Sequence, residues 1–117
     1  MADTGSMEDR IKTSLWVEAH IRTCFAANMP AFVVARGDAD RGGVLLKIDQ
    51  FDAGITLYEK TLDFDGARAW RFLHSSTDSA EIAQKIAKKR DFDPDLWVLE
   101  VEDMRKTYNM DAPILRD

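Results

Sequence analysis

Cysteine, proline and histidine are scarce in this chain: its 117 residues include one cysteine, three prolines and two histidines. Cys24 alone can form neither an intrachain disulfide nor the paired-thiolate ligand set of a structural zinc site. No apolar run approaches the roughly 20 residues that span a bilayer, so no membrane contact is predicted. Residues 1–12 also lack the apolar stretch of a secretory signal, which favours a cytoplasmic location.

Positive charge is in the minority, with 16 lysines and arginines against 21 aspartates and glutamates and a net charge of -5. Phosphate backbones bind clustered lysine and arginine, so nucleic acid is not expected as a partner. The basic residues of 85–90 are interpreted as the ordinary complement of a helix C-terminus. Glycine-rich phosphate loops, catalytic triads and paired metal-ligand motifs are missing too, and we therefore predict no cofactor, no metal ligand and no catalytic residue.

Turn residues divide the chain into one α+β domain with the element order α-β-β-β-β-α-β. We predict one helix over residues 12–28, a second from the cap at Asp78 to Arg90, and strands over 31–36, 44–49, 55–61, 68–73 and 96–101. The domain occupies residues 11–103. Residues 1–10 are expected to be a disordered N-terminal segment or a remnant of an expression vector, and residues 104–117 a loosely ordered C-terminal tail.

Alternating apolar residues predict an antiparallel-rich five-stranded sheet with both helices packed on one face. That face should carry the core, formed by Val44, Leu46, Ile48, Ile55, Leu57, Trp70, Phe72, Trp97, Leu99 and Val101. The opposite phase is polar and should lie in water or meet a partner. It contains Lys47, Asp49, Thr56, Tyr58, Lys60, Arg71, Glu100 and Glu102.

A dense run of glycine and charge, Arg36-Gly37-Asp38-Ala39-Asp40-Arg41-Gly42-Gly43, separates the first two strands. Asp38 and Asp40 could converge on a cation, but calcium sites normally need six or more oxygen ligands, so neither calcium nor magnesium is expected to bind tightly. We interpret the turn as a solvent-exposed connection whose aspartates bond its own backbone. An anion or a partner held by Arg36, Arg41 and the glycine amides is the functional alternative.

The histidines and the cysteine are the remaining candidates for chemistry. His20 lies one helical turn after Trp16 and is interpreted as a core-edge histidine packed against that indole, with a general base or metal ligand as the alternative. His74 follows the fourth strand. Cys24 occupies an apolar helical position, which favours an inert small hydrophobe over a nucleophile.

Three segments of the chain resemble a bacterial family known mainly from alphaproteobacteria, the domain of unknown function numbered fourteen ninety-one. They are Leu15-Trp16-Val17, the run from Pro30 to Lys47 with its Gly-Asp-Ala-Asp segment, and the run from Asp93 to Asp103. The resemblance covers nearly all of the chain after residue 10. It implies a bacterial cytoplasmic protein and does not imply an activity.

The sequence favours a non-catalytic binding or accessory module that uses the charged sheet face and the turn of residues 36–43 as its contact surface. A surface with both signs of charge suits another protein or a second copy of the chain, with a homodimer slightly favoured. The predicted binding residues are Arg36, Asp38, Asp40, Arg41, Lys47, Asp49, Tyr58, Arg71, Glu100 and Glu102.

A metal-dependent nuclease or related hydrolase is the alternative function. The order of helix, meander, helix and strand approximates the core of restriction-endonuclease-like folds. Such chemistry would require Asp49, Glu59 and Glu100 to gather about metal ions. Against it, Glu59 and Lys60 are consecutive and should point to opposite faces, whereas that family separates the acid and the lysine by one residue.

Overall fold

The computed structural model describes residues 11–115, and the predicted N-terminal segment of residues 1–10 lies outside them. The α+β class and the predicted element order are confirmed. Within these residues, neither helix is long and apolar enough to cross a membrane. The elements are α1 (Thr13–Ala26), β1 (Ala31–Ala35), β2 (Val44–Asp49), a 3-10 turn (Phe51–Ala53), β3 (Ile55–Leu62), β4 (Arg68–Ser76), α2 (Ser79–Phe92), β5 (Trp97–Glu102) and β6 (Ile114–Leu115).

The strands form one mixed sheet of six, in the spatial order β1-β5-β2-β3-β4-β6. The β2–β5 and β4–β6 pairs are parallel, and the remaining pairs are antiparallel. The predicted five-stranded, antiparallel-rich sheet is therefore wrong in the number of strands and in the pairing at its centre. The physical reason is α2, which carries the chain from the end of β4 across the sheet to a place beside β2. Parallel neighbours need a crossover of this kind.

The two helices cover opposite faces of the sheet, so the predicted packing of both helices on one face is wrong. Leu46 of β2 packs with Val17 of α1, whereas Leu45, the preceding residue, packs with Ile86 of α2. The central strands β2 and β5 are buried on both sides. Each side is apolar and needs its own cover, as is usual for strands with a parallel neighbour.

β3 is one residue out of its predicted phase. Leu57 stands opposite Lys47, which places Leu57 on the α2 face of the sheet. Alternation along the strand then places Thr56, Tyr58 and Lys60 on the α1 face. Their predicted position beside Lys47 is therefore wrong. Apolar side chains occupy both phases of β3, so its own pattern does not determine which face is which.

Residues 103–113, here called the C-terminal segment, lie beside α1, where Tyr108 contacts His20. The carboxylate of the buried Asp103 accepts hydrogen bonds from Gln50 Nε2 at 2.9 Å and from the Thr107 amide at 2.8 Å. The Trp70 amide donates to the Pro113 carbonyl at 2.8 Å, and β6 then pairs with β4. Residues 104–115, which were expected to be a loosely ordered tail, thus pack against the domain and contribute the sixth strand.

Candidate functional site

The turn of residues 36–43, here called the glycine-rich turn, forms hydrogen bonds within itself and with the neighbouring core. The Asp38 carboxylate accepts from the amides of Asp40 at 3.2 Å and Arg41 at 2.8 Å. The Asp38 carbonyl accepts from the buried Trp97 indole at 2.7 Å, and the Arg36 guanidinium lies 4.8 Å from the centre of that ring. The interpretation of Asp38 as a residue that bonds its own turn is confirmed.

The glycine-rich turn also closes the N-terminal end of α1. The amides of Thr13 and Ser14 donate to the carbonyls of Asp40 at 3.3 Å and Ala39 at 2.9 Å. Thr13 Oγ1 donates to the Gly42 carbonyl at 2.8 Å. These bonds satisfy helix amides that would otherwise have no partner. The turn therefore joins α1 to the sheet.

Close backbone packing explains two glycines of the turn. A Cβ atom on Gly37 would lie 2.0 Å from the Asp95 carbonyl oxygen, and one on Gly42 would lie 2.4 Å from the same atom. Neither distance leaves room for a side chain. The glycines thus allow the turn to approach the loop before β5, which is a structural requirement and gives no evidence for a bound anion.

The predicted charged surface is only partly assembled. Lys47 and Glu100 lie side by side on the α2 face and form an ion pair of 3.1 Å whose side chains are largely buried. Asp49 Oδ1 accepts from the Phe51 amide at 2.9 Å. Tyr58 packs against the core under α1, on the opposite face. A partner that separated this ion pair would leave a buried charge without a counter-charge, which is unfavourable. Lys47 and Glu100 are therefore engaged with each other and are not free to bind a partner.

The remaining predicted binding residues stand apart from one another. Arg71 is exposed on β4 and Glu102 is half-buried at the end of β5. Asp40 and Arg41 are exposed at the rim of the glycine-rich turn, where Asp40 lies 3.7 Å from Lys12. The predicted binding residues therefore form two separate groups, the Lys47–Glu100 pair and the glycine-rich turn, and not one continuous surface.

The carboxylates of the nuclease alternative do not converge. Glu59 is bound to Lys89 at 2.9 Å, while Glu100 is bound to Lys47. Asp49 lies four residues along β2 from the position opposite Glu59, which is about 13 Å of strand. Among the residues that the structure describes, no cluster of three histidine, cysteine or acidic side chains could hold a metal ion.

Sequence reasoning missed a polar and aromatic cluster between α1 and the C-terminal segment. The Tyr108 hydroxyl and His20 Nε2 are hydrogen-bonded at 2.7 Å. The imidazole stacks on Trp16, with ring centres 4.7 Å apart and planes at 18°, which confirms the predicted packing of this histidine. Trp16 in turn contacts Trp70 across 5.8 Å. One helix and one distant segment are thereby joined through side chains.

Asp111 extends this cluster toward β4. One of its carboxylate oxygens accepts from the Trp70 indole at 2.7 Å, and the other accepts from the Arg68 guanidinium at 3.0 Å. Arg68 also lies 5.7 Å from the centre of the Trp16 ring. The negative charge of Asp111 is therefore balanced within the cluster.

A cavity of about 330 Å³ opens beside these side chains, and we call it the α1 groove. Its size falls within the range of small-molecule sites. The lining is mostly aromatic, thioether and methyl surface with a few polar atoms, and it comprises Trp16, Ala19, His20, Thr23, Cys24, Ala27, Met29, Thr107, Tyr108, Asn109 and Asp111.

Three ionisable groups of the α1 groove, those of His20, Cys24 and Tyr108, favour their neutral forms. Burial lowers the pKa of His20, and burial raises the pKa of the Tyr108 hydroxyl and of the Cys24 thiol. A buried thiol with a raised pKa is a poor nucleophile, which agrees with the interpretation of Cys24 as inert. The arrangement is suited to holding a ligand through contacts and hydrogen bonds.

The fold and this site define a small α+β protein in which a mixed six-stranded sheet lies between two helices and one helix shares a groove with the C-terminal segment. The chain belongs to the family described as "Protein of unknown function (DUF1491)", whose family model matches residues 11–111. The resemblance seen in the sequence is confirmed. No curated protein matches the chain.

Solved structures of related proteins share the fold. The crystal structure of a DUF1491 family protein from Caulobacter crescentus CB15 superimposes with a TM-score of 0.80 over 90% of this chain and 99% of that one, and the two sequences are 30% identical. The NMR structure of a DUF1491 family protein from the same organism gives 30% identity and a TM-score of 0.77, over 92% and 98% of the two chains. Protein Atu0922 from A. tumefaciens is 28% identical, with a TM-score of 0.71 over 86% and 89%.

Proposed function

We propose that this protein is a non-catalytic binding module and that the α1 groove is its ligand site. One observation carries the proposal: side chains from α1 and the C-terminal segment converge on one cavity, and β4 holds them in place through Trp70 and Arg68. A concave site with a few convergent polar groups and shifted pKa values is the usual form of a small-molecule site.

The expected ligand is a neutral and mainly apolar small molecule with one polar group. His20, Cys24 and Tyr108 favour uncharged forms, and Asp111 is paired with Arg68. A charged ligand would lose its hydration in such a site without gaining an opposite charge. A planar aromatic ligand could also stack beside Trp16.

A role in binding is favoured over catalysis by the way the polar atoms are used. His20 Nε2 is already bonded to Tyr108 and both oxygens of Asp111 are engaged. General acid–base catalysis needs a group within reach of the substrate proton and with a pKa near the working pH. The α1 groove offers hydrogen-bonding groups that are already engaged, and it offers no free general acid or base among the described residues.

Contact with a protein partner is a second candidate function. β1 is an edge strand, and Phe32 and Val34 on it are 42% and 50% exposed. Phe32 stands opposite Glu100, so it borders the Lys47–Glu100 pair. Exposed apolar side chains on an edge without charged residues favour pairing with another chain. The protein partner predicted from the sequence, with a homodimer slightly favoured, is assigned to the charged sheet face and the glycine-rich turn; it stays a proposal, which we extend to the β1 edge.

The α1 groove is tested by titration with indole, a neutral aromatic probe, monitored by the amide NMR signals of the protein. Shifts are expected at Thr23, Cys24 and Thr107. The Ala19→Trp variant should remove them by filling the cavity, whereas the matched Ala83→Trp variant, at an exposed alanine of α2, should retain them. Absence of shifts at these residues in the parent protein, or equal shifts in both variants, would refute the proposal.

A further inference from the structure

A second cavity of about 410 Å³ lies on the other face of the sheet, between α2 and strands β3 and β4. Its floor is apolar. Leu57 is fully buried there, and Leu73 is half-buried beside it. The pairing of β3 with β4 skips Leu73, because His74 stands opposite Leu57 and Phe72 stands opposite Tyr58. This bulge directs an additional apolar side chain into the cavity.

Three lysines of α2 border the cavity, and we call it the lysine-rimmed groove. Lys88 and Lys89 lie three and four residues after Lys85, so the three lysines share one side of the helix. Lys89 is bound to Glu59 at 2.9 Å. Neither Lys85 nor Lys88 makes an ion pair with any residue that the structure describes.

The acidic neighbours of this groove are already engaged. Glu81 is bonded to His74 and to Ser76, and Glu59 is the partner of Lys89. The hydrogen bond with His74 lowers the pKa of the Glu81 carboxyl, and Lys85 lies close enough to help lower it, whereas Lys88 makes no ion pair with any described residue. Neither lysine is in a direct ion pair with these residues, so the rim stays positive although the whole chain is negative. A positive rim above an apolar floor matches a ligand that is anionic at one end and apolar at the other.

The last apolar feature is Phe92, which is 86% exposed at the mouth of the groove. An aromatic ring in water gains by covering apolar surface of a ligand. We propose that the lysine-rimmed groove binds a medium-chain fatty acid, with the carboxylate at Lys85 and Lys88 and the hydrocarbon chain over Leu57, Leu73 and Phe92. This site is separate from the α1 groove and does not depend on it.

A single fatty acid fits this surface better than an anionic membrane. The apolar floor lies in a cleft between α2 and the sheet, which a single hydrocarbon chain can enter but the flat surface of a bilayer cannot. Asp91, Asp93 and Asp95 follow Arg90 at the end of α2 and are exposed. An anionic bilayer that covered this end of the helix would bring its headgroups near these carboxylates, which repel them.

The test is a calorimetric titration of the whole chain with decanoate below its micellar concentration. The double variant Lys85→Gln/Lys88→Gln should weaken binding by about 2- to 30-fold, which is the range expected for two partly exposed charge pairs. A matched double variant, Lys12→Gln/Lys106→Gln, removes the same charge elsewhere on the surface and should bind as the parent does. Decanol, which has the chain without the charge, should bind more weakly than decanoate.

Four outcomes would overturn the inference: no decanoate binding by the parent, equal affinity for decanol, equal weakening by both double variants, or no weakening by the Lys85 and Lys88 substitutions. Vesicles containing phosphatidylglycerol provide the remaining arm. If they bind the protein through the same two lysines while decanoate does not, the surface is a membrane contact and the fatty-acid site is wrong.

Discussion

The glycine-rich turn and the C-terminal segment both hold α1 against the sheet, but they use different kinds of bond. The turn offers α1 only main-chain carbonyls, which accept from the Thr13 and Ser14 amides and from Thr13 Oγ1. The C-terminal segment meets α1 through the side-chain contact of Tyr108 with His20. Main-chain contacts require close approach, whereas long side chains keep two backbones apart and leave space between them. The first region is therefore suited to fixing the fold, and the second is suited to binding.

Trp97→Ala should have the largest effect, because it damages the region that fixes the fold. The indole is buried, and its nitrogen donates to the Asp38 carbonyl. Truncation should lower the free energy of unfolding by about 3–5 kcal/mol through the empty core site. Urea unfolding measures this loss. A variant as stable as the parent protein would show that the glycine-rich turn does not depend on Trp97.

Gly37→Ala tests the close approach of the glycine-rich turn itself. The new methyl group would collide with the backbone carbonyl of Asp95, and we expect the free energy of unfolding to fall by about 2–3 kcal/mol. Gly43→Ala is the matched control, because its Cβ would meet only the Leu96 Cδ2 atom at 2.9 Å. That side chain can move, so the control should lose less. Equal losses in thermal unfolding would contradict the stated role of Gly37.

Tyr108→Phe should have a smaller effect, because it removes only one side-chain hydrogen bond of the C-terminal segment. We expect a loss of about 1 kcal/mol. The chain has one other tyrosine, Tyr58, for which the structure shows no hydroxyl hydrogen bond among residues 11–115. Tyr58→Phe should therefore leave the stability nearly unchanged. Urea unfolding measures both variants. An equal loss of unfolding free energy in the two would contradict a stabilising role for the Tyr108 hydroxyl.

The smallest expected effect is a dependence on pH. Burial lowers the pKa of His20 in the folded protein, so the unfolded chain takes up this proton at a higher pH. The stability should be complete above the unfolded pKa of about 6.5 and should decline below it, by at most about 1.4 kcal/mol per pH unit. His20→Gln should reduce the decline between about pH 7.5 and 5.5. Equal declines in both proteins would show that His20 does not cause it.

Much of the fold could be predicted from local sequence, because caps, turns and alternating residues are local signals. The places of the two helices and of β1 to β5 follow from such signals. Their arrangement in space does not. The apolar runs at residues 44–46 and 97–99 are typical of strands buried on both faces, yet alternation alone assigned every second residue to water. The parallel pairing of β2 with β5 depends on the crossover by α2, which is a tertiary feature.

The α1 groove was missed because its contacts join residues far apart in the chain. His20 and Tyr108 are separated by 88 positions, and Trp70 and Asp111 by 41. The polar composition of residues 103–113 resembles that of a loose tail. The available signal was the presence of Tyr108 within this segment and of Ile114 directly after it, since apolar side chains in a polar stretch indicate that the stretch packs against the domain. The glycine-rich turn has the opposite character, because its conspicuous residues serve the fold.

The most direct test of the contrast between these two regions is amide hydrogen exchange with and without saturating indole. We expect the Thr107 and Tyr108 amides of the C-terminal segment to exchange faster than the Thr13 and Ser14 amides at the glycine-rich turn. Indole should slow exchange at Thr107 and Tyr108 and leave Thr13 and Ser14 unchanged, because it fills the space beside the segment. Equal protection at all four amides, or no change at Thr107 and Tyr108 under saturating indole, would contradict the assignment of binding to the α1 groove.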